Sequence, residues 1–510
     1  MKILLINSNR YKYPWPVIPV GLCAAAASLE EDGRPARALD LCFSRDPAGE
    51  IERAVADFGP DLVGVSVRNI DSGSGHGTVF LLDQVRDEVM APLKKCFDGP
   101  IVLGGPAVGV NAAEMLHFFD VGLAIQGDGE PAVRELARRL DVGEPLAGLR
   151  GLVRRVGGVV VEENPPWLVP DLDALPRVSL AKYVDLAPYL AYDSPLQIQT
   201  KRGCPLGCVY CTYKVIEGRE YRLRDPEKVA AEIEGLVAES GSNHIEITDS
   251  TFNLPLGHAK KVLRAIISRN LGLRIRTMGL NPGAVDAELV DLMVRAGFQD
   301  VDLGAESLSD PVLKRMGKNY TKADVLRAGR LLRDKGVPTS WMLLVGGPGE
   351  TLETLEETLD AAARAASKWD MVCVAVGVRV YKGAPLAVEV AREDGAAAAD
   401  GFFRPVAYNP QALPLETVRE LTKRAWYRNR NFLIYSEDMT FPEDWLLHAG
   451  RVLRRVAPAA PLWKIYIASR FLEKNLGLDI PGRLGLYWRN RALFSSLDRR
   501  KRSEKRRFFQ

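Results

Sequence analysis

The feature that most constrains this chain is a group of three closely spaced cysteines in the run Arg202-Gly-Cys204-Pro-Leu-Gly-Cys208-Val-Tyr-Cys211. Cysteines spaced C-x3-C-x2-C supply three thiolates, which grip three corners of an iron–sulfur cube. Structural zinc sites and ferredoxin-type clusters take four protein ligands, and no matching second pair of cysteines lies nearby. The spacing therefore indicates a cluster with one iron left open to another ligand.

The cysteine run follows the strand-like segment 196–201 and precedes a helical stretch. In this setting the motif resembles that of the radical S-adenosylmethionine (SAM) superfamily. The resemblance implies a [4Fe-4S] cluster held by Cys204, Cys208 and Cys211, whose open iron chelates SAM. It also implies reductive cleavage of SAM to a 5′-deoxyadenosyl radical.

Composition predicts a large intracellular enzyme. The chain has 510 residues, of which 47% are hydrophobic, and a formal charge of +3, so its composition does not indicate a nucleic-acid binder. Seven cysteines are too few and too scattered for a disulfide framework. The first residues lack the long apolar region of a signal peptide, and no apolar run reaches membrane-spanning length. We therefore expect a cytoplasmic protein.

Residues 1–140 alternate short apolar runs with helical stretches. Strands are predicted over 2–6, 36–41, 61–67, 100–103 and 121–125, and helices over 17–31, 78–89 and 112–119. This alternation predicts an α/β fold with a doubly wound, Rossmann- or flavodoxin-like parallel sheet. Such a sheet binds ligands at the carboxyl ends of its strands.

The order of this sheet and the cysteine motif resembles the B12-dependent radical SAM enzymes over about residues 1–380. Gly104-Gly-Pro and Gly127-Asp-Gly-Glu after two strands echo loops that line the nucleotide-tail slot in that family. A flavodoxin-like domain that binds another nucleotide, or nothing, is the alternative. The resemblance implies that cobalamin contacts Asn7, Ser66, Arg68, Asn69, Gly104, Gly105, Gly127, Asp128, Gly129 and Glu130.

One departure from B12 domains of the methionine-synthase type concerns cobalt. That type places D-x-H-x-x-G after its first strand, whereas this chain has Asn7-Ser-Asn-Arg-Tyr-Lys without a histidine. The resemblance therefore implies cobalamin without a histidine ligand, with Arg68 or Asn69 facing the corrin. His76, in a loop after the third strand, is an alternative ligand because neutral imidazole binds transition metals.

The second half of the chain predicts a barrel. Residues 141–190 are predicted to be a linker with a small hairpin over 151–162, and 191–385 a partial (β/α)6 radical SAM barrel. The strands are expected at 196–201, 244–248, 273–278, 300–305, 339–345 and 371–380, and the helices at 226–239, 255–270, 286–296, 322–335 and 351–366.

Function in α/β barrels sits at the carboxyl ends of strands. The resemblance implies SAM contacts there from Tyr210, Asp249, Arg276, Glu306 and Ser307. Any one of these residues is more often a salt-bridge or cap residue than a ligand, but their shared placement favours a SAM site. The glycine-rich run 345–351 lacks the Gly-Lys-Ser/Thr ending of a phosphate loop and is predicted to be a turn and helix cap.

Residues 386–510 are predicted to be a mostly helical C-terminal domain, with helices over 414–435 and 442–456 and an apolar, basic segment over 462–476. The tail 489–507 carries nine Lys or Arg against two acidic residues. It is either a solvated tail or a peripheral contact with anionic lipid.

The resemblance as a whole implies a class B radical SAM methyltransferase. Its cofactors are the [4Fe-4S] cluster, SAM and cobalamin, and it methylates an unactivated carbon of a small-molecule or lipid-like substrate through methylcobalamin. An external electron donor of the flavodoxin or ferredoxin type is expected, and nucleic acid is not. The alternative is non-methylating B12-dependent radical chemistry, such as cyclisation, ring contraction or oxidation of a lipid, tetrapyrrole or secondary-metabolite precursor.

Overall fold

The computed structural model describes residues 1–12, 15–73, 78–393, 395, 398–410, 412–435, 461 and 463–476. His76, the predicted helix 442–456 and the basic tail 489–507 lie outside the described residues. No helix in the described ranges combines the length and the hydropathy that crossing a bilayer requires.

The N-terminal layer is a seven-stranded sheet in the order β2-β1-β3-β4-β5-β6-β7. Its strands are β1 (Ile3–Asn7), β2 (Ala36–Asp40), β3 (Leu62–Ser66), β4 (Ile101–Gly104), β5 (Leu123–Ile125), β6 (Leu152–Val156) and β7 (Val159–Glu163). The first five are parallel, which confirms the predicted doubly wound sheet. Its helices are α1 (Val20–Glu31), α2 (Pro47–Phe58), α3 (Leu82–Val85), α4 (Ala91–Cys96), α5 (Pro106–Phe118) and α6 (Gly129–Val142), with a π-helical turn, Arg86–Met90, joining α3 to α4.

Three elements of this layer differ from the prediction, and one of them is α6, because no helix was predicted after the strand over 121–125. Helix α2 was not predicted, although Asp46 caps it by accepting a hydrogen bond from Gly49 N and Pro47 occupies its first position. The predicted hairpin is present as β6 and β7, with Gly157 and Gly158 in the left-handed region at its turn. It also pairs antiparallel with β5, so this part of the expected linker extends the sheet.

The second layer contains an arc of parallel strands and two short antiparallel pairs. Its strands are β8 (Leu196–Ile198), β9 (Lys201–Arg202), β10 (Arg222–Leu223), β11 (His244–Ile247), β12 (Arg274–Thr277), β13 (Val301–Glu306), β14 (Thr339–Val345), β15 (Met371–Val376), β16 (Val378–Val380), β17 (Val406–Tyr408) and β18 (Phe432–Ile434). Strands β8, β11 and β12 form one parallel sheet, and β13, β14, β15 and β18 form another. Strand β9 pairs antiparallel with β10, and β16 pairs antiparallel with β17. Two isolated bridges connect the sheets: Ile275 of β12 pairs with Phe298, which precedes β13, and Leu280, which follows β12, pairs with Leu303 of β13.

The second layer also contains helices. They are α7 (Leu180–Tyr183), α8 (Ala187–Ala191), α9 (Tyr213–Ile216), α10 (Pro226–Ser240), α11 (Leu256–Arg269), α12 (Ala287–Ala296), α13 (Asp310–Arg315), α14 (Lys322–Asp334), α15 (Leu352–Ala365), α16 (Pro385–Glu393), α17 (Leu415–Arg428) and α18 (Trp463–Leu476), with 3-10 turns at Leu172–Ala174 and Pro282–Ala284. Ile245, Ile247 and Ile275 belong to the core shared with these helices. Because side chains alternate along a strand, Glu246 and Arg276 point to the inner face.

The C-terminal region contributes a strand that the sequence did not predict. The helix expected over 414–435 ends at Arg428, and Phe432–Ile434 pairs parallel with β15 as a seventh barrel strand. Phe432 and Ile434 are almost fully buried, and three residues are too short for a recognisable strand pattern.

The two layers face each other through buried ion pairs. Asp71, which follows β3, accepts a hydrogen bond from Arg379 Nε on β16 at 2.9 Å and from Tyr381 Oη at 3.0 Å. The side chains of Asp71 and Arg379 are 0% and 2% exposed. Lys382 reaches Glu114 of α5 at 2.6 Å. The end of the barrel is thereby fixed to the carboxyl edge of the N-terminal sheet.

Replacing Arg379 tests this contact. Arg379→Met leaves the Asp71 carboxylate buried without a cation, and we expect the free energy of unfolding to fall by about 3–5 kcal/mol. Lys335→Met, which breaks an exposed pair with Asp291, is the matched control and costs at most about 1 kcal/mol. Chemical denaturation followed by circular dichroism measures both variants. Equal midpoints for the two variants would contradict the assignment.

Candidate active site between the two layers

The three cysteines lie in the loop between β9 and α9, and backbone contacts fix that loop. Cys204 N donates to Gly218 O at 3.0 Å, and Val209 N donates to Met316 O at 3.1 Å. Gly317 adopts a φ of +69°, and a Cβ there would lie 2.3 Å from Gly207 O. This position therefore requires glycine, because any side chain would push the cysteine loop away.

The three thiols lie on one fixed loop. Burial raises the pKa of Cys211 to about 11, with smaller contributions from the neighbouring Cys208 and Cys204. Thiolates around an iron–sulfur cube bind different irons. Three thiols on one loop fit that arrangement.

Tyr210 and Glu306, both predicted to contact SAM, are brought together. Tyr210 Oη donates to Glu306 Oε1 at 2.7 Å, and Lys318 Nζ donates to Tyr210 Oη at 2.8 Å and to Glu306 Oε1 at 3.0 Å. Burial opposes the charge on Lys318, but Glu306 and Tyr210 hold its pKa well above the usual value. Glu306 has a φ of +57°, an uncommon conformation for a residue with a side chain. These three groups link the cysteine loop to the end of β13.

The other three residues predicted to contact SAM are occupied by protein partners. Asp249 accepts hydrogen bonds from Thr200 N, Thr200 Oγ1 and Lys201 Nζ at 2.6 to 2.7 Å, and its side chain is 0% exposed. Ser307 is fully buried and bonds Thr358 Oγ1 at 2.9 Å. Arg276 lies among carboxylates inside the barrel. Among the polar atoms of these side chains, Arg276 Nε has no hydrogen-bond partner, and contact of the three residues with SAM stays a prediction.

The residues predicted to face the corrin divide into two groups. Arg68 and Asn69 line a pocket at the carboxyl ends of β1 and β3, together with Ser8, Asn9, Arg10, Tyr11, Val67, Leu81, Gln84 and Val85. A Cβ on Gly104 or on Gly129 would meet no atom within 4 Å. These positions leave open backbone along the sheet edge, which fits a large flat ligand approaching closely.

The remaining residues of that prediction have structural contacts. Asn7 donates to Asp40 at 2.7 Å, and Ser66 O accepts a hydrogen bond from Ser8 Oγ at 2.8 Å. A Cβ on Gly105 would lie 2.6 Å from Val67 O, and one on Gly127 would lie 2.4 Å from Trp167 O. Both glycines have positive φ, so they allow close backbone packing.

Asp128 and Glu130 bind arginines beside the cysteine motif. Arg202 reaches Asp128 at 2.9 Å and Glu130 at 2.7 Å, and Arg222 also pairs with Asp128. The two carboxylates are 4% and 6% exposed. The Gly-Asp-Gly-Glu loop thus ties the N-terminal layer to the cysteine loop through its acidic side chains, and Gly129 is its open position.

Side chains from both layers lie near one another where the layers meet. Burial lowers the pKa of Arg68, which follows β3, and raises that of Tyr213 in α9. Arg68 interacts electrostatically with Tyr213, Glu246 and Tyr435, and Tyr435 also interacts with Asp302. We call the region between these side chains the chamber.

Sequence reasoning missed Lys318, Gly317, Lys201 and Arg202. Lys201 and Arg202 directly precede the cysteine run, and a charged pair at a strand end beside a metal motif is a usable signal. Gly317 and Lys318 lie more than 100 residues downstream in a loop after α13. Nothing in their local sequence indicates contact with the cysteine loop.

Residues 198–362 match the radical SAM superfamily. The chain is 28% identical to tryptophan 2-C-methyltransferase of Streptomyces laurentii, over 70% of this chain and 69% of that protein. It is 31% identical to the anaerobic magnesium-protoporphyrin IX monomethyl ester cyclase of Rubrivivax gelatinosus, over 71% of this chain and 65% of the relative.

The fold matches two solved structures of the radical SAM methyltransferase TsrM from Kitasatospora setae. One, with tryptophan and a SAM analogue bound, superposes with a TM-score of 0.71 at 30% identity, covering 77% of this chain and 76% of that one. The other, with cobalamin and a [4Fe-4S] cluster bound, gives 0.76 at 25% identity over 85% and 91%. Cysteine loop, barrel and N-terminal sheet agree with these relatives, and this chain belongs to the cobalamin-dependent radical SAM enzymes.

Proposed function

We propose that this protein methylates a carbon of a small-molecule substrate held in the chamber between its two layers. The observation that carries the proposal is the position of the cysteine loop. It lies against the carboxyl edge of the N-terminal sheet, joined to it by Arg202, Asp128 and Glu130. Groups bound at the sheet edge and at the cysteine loop therefore share one chamber.

The residues present fit the three cofactors of this family. Cys204, Cys208 and Cys211 would hold the [4Fe-4S] cluster, and Tyr210 and Glu306, which are hydrogen-bonded to each other, would contact SAM. Arg68 and Asn69, which line the sheet-edge pocket, would border the corrin with the open positions Gly104 and Gly129. When bound, these groups supply radical generation and methyl transfer. The protein contributes binding, orientation and exclusion of water.

The chain's own side chains perform that work with fixed charges. Lys318 holds the Glu306 carboxylate and the Tyr210 phenol in one orientation, so both reach SAM in a defined geometry. Arg68 presents a cation to the chamber from the sheet edge. A guanidinium has no acceptor lone pair, so Arg68 would not itself coordinate cobalt, in keeping with the proposed cobalamin without a histidine ligand.

A second candidate is ring formation without methyl transfer. The 31% identity to the magnesium-protoporphyrin cyclase favours it, since that relative is named for a different reaction. The chamber and cysteine loop serve either reaction. Product analysis separates the two.

The proposal includes an external electron donor of the flavodoxin or ferredoxin type. The seven cysteines of the sequence contain one closely spaced set, so this chain carries no second cluster motif to relay electrons. The substrate is proposed to be a small molecule. Contact of the tail 489–507 with anionic lipid stays a prediction outside the described residues.

Product analysis of anaerobically reconstituted protein tests methylation. We expect S-adenosylhomocysteine, a methylated product and visible absorption from bound corrinoid. The variant in which Cys204, Cys208 and Cys211 are all Ala lacks the cluster and reductive SAM cleavage. Cys96→Ala is the matched control, because Cys96 lies at the end of α4. SAM consumption with 5′-deoxyadenosine alone would favour cyclisation, and SAM cleavage by the triple variant would contradict the cluster assignment.

Replacing Lys318 tests the orienting role of its ammonium group. Lys318→Met removes charge-assisted hydrogen bonds to Tyr210 and Glu306, and we expect affinity for SAM to fall about tenfold or more. The iron–sulfur absorption should persist, because no thiol is changed. Lys322→Met, which breaks a more exposed pair with Glu357, is the control. Equilibrium binding of SAM measures the effect, and equal affinities for the two variants would exclude it.

A further inference from the structure

The inner face of the barrel carries an ionic cluster with more carboxylates than cations. Arg276 on β12 lies 3.4 Å from Glu246 on β11, 3.6 Å from Asp300 and 3.1 Å from Asp302 on β13. We call these three carboxylates with Arg276 the acidic wall. All four side chains are at least four-fifths buried.

The acidic wall gathers three carboxylates around one cation. Burial opposes the charge on Arg276, but Asp302, Asp300 and Glu246 outweigh burial and raise the pKa of Arg276, so its charge persists. Burial, Arg274 and Arg276 lower the pKa of His244 to about 3, so this neighbour adds no second cation. Arg68 interacts electrostatically with Glu246. Even with Arg68, carboxyl groups outnumber these guanidinium groups by three to two among the described residues.

Burial raises the pKa values of two of these carboxyl groups. Burial raises the pKa of Asp302 to about 6; Arg276 opposes the rise, and Asp300 and Glu246 add to it. Burial likewise raises the pKa of Asp300. Carboxylates held close together at such cost are stabilised by any cation that enters between them.

A polar side chain beside the wall has no partner. Gln197 on β8 pairs in register with Glu246, which pairs with Arg276, so the three side chains lie in a row on the inner face. Gln197 is 6% exposed, and neither its amide nitrogen nor its amide oxygen makes a hydrogen bond. An unpartnered buried amide is costly, and a ligand in the chamber would satisfy it.

The strands next to the acidic wall carry an apolar surface. Asp302 pairs in register with Ser340 on β14, and Met342 follows on the same face and pairs with Cys373. Met342, Cys373 and Leu433 pack in one hydrophobic group. Tyr435 joins the two sides, because it couples to both Cys373 and Asp302. The chamber therefore offers a cation site beside an apolar surface.

We propose that the acidic wall binds a protonated amine of the substrate, with Gln197 accepting a hydrogen bond and Met342 contacting the apolar body. This inference deepens the proposed function, on which it rests, by assigning the substrate to cationic amines. Ammonium groups also occur in SAM, so the same chemistry has two sources that an experiment must separate.

Binding of matched probes to the reconstituted full chain tests the inference. The probes are tryptamine and phenethylamine, their acid counterparts indole-3-propionate and 3-phenylpropionate, and SAM. We expect the two amines to bind in calorimetric titration and the acids not to bind. Equal binding of acids and amines, or no binding of either amine, would overturn the inference.

Three variants locate the site. Glu246→Gln and Asp302→Asn each leave Arg276 two carboxylates, and we expect amine affinity to fall about tenfold or more. Gln197→Leu removes an unpartnered amide, so it should weaken amine binding without lowering the melting temperature. Asp291→Asn breaks an exposed pair with Lys335 outside the barrel interior and is the control that keeps wild-type affinity.

Two further readouts separate the possible failures. We expect Glu246→Gln to bind SAM with wild-type affinity. If its SAM affinity fell as much as its amine affinity, the acidic wall would bind the ammonium group of SAM, and the substrate assignment would be overturned. Amine binding needs no turnover, so it is read even from a preparation without methyl transfer. If the wild-type protein shows corrinoid absorption and SAM cleavage but binds the acids as well as the amines, this inference is overturned and the proposed function stands.

Discussion

The structure depends on two adjacent residues of strand β9, Lys201 and Arg202, whose charged side chains point to opposite sides of the strand. Lys201 points into the barrel and pairs with Asp249 at 2.6 Å, with both side chains 0% exposed. Arg202 points to the other layer and pairs with Asp128 and Glu130. Side-chain alternation along a strand requires this divergence. The cysteine loop begins two residues later, so its origin is fixed to both layers.

Buried charge of this kind costs free energy unless geometry compensates it. At Lys201 the compensation is complete, because its ammonium also donates to Phe252 O and the Asp249 oxygens accept from Thr200. At the acidic wall it is incomplete, since Glu246 Oε1, Arg276 Nε and Asp300 Oδ1 lack hydrogen-bond partners. The pair of Lys201 and Asp249 is therefore structural, whereas the acidic wall has polar atoms left with which a ligand could form hydrogen bonds. Both lie in the same barrel, so the difference reflects local arrangement rather than depth.

Periodic patterns predicted the fold well because strands and helices here obey local rules. The five parallel strands of the first layer, the six barrel strands and the Gly157-Gly158 hairpin all follow from runs of apolar residues and turn signals. Strand β18 was not predicted, because Phe432–Ile434 is only three residues long and its pairing with β15 joins distant parts of the chain. Helix α2 was not predicted, although Asp46 as the N-cap and Pro47 at the first helical position are typical of a helix N-terminus.

The candidate site was predictable where the motif is local and not where it is assembled. Cys204, Cys208 and Cys211 follow from spacing, whereas the hydrogen bond between Tyr210 and Glu306 was not predicted. Asp249 and Arg276 also have buried partners on neighbouring strands that the sequence did not indicate, and their contact with SAM stays a prediction. Which partner a strand-end charge finds depends on register between strands, and one sequence does not specify it.

Helix α18 completes the chamber from the side opposite the N-terminal layer. Tyr466 and Ile467 pack against Met371 and Cys373 on the inner face of β15, and Tyr466 Oη donates to Phe432 O at 3.0 Å. Trp426 Nε1 of α17 donates to the same hydroxyl at 2.8 Å. The last described helix thus covers the barrel interior near the start of β15 and β18, while the N-terminal sheet covers the carboxyl ends. Radical chemistry needs a chamber shielded from water at both ends, and the C-terminal region contributes one of those two covers.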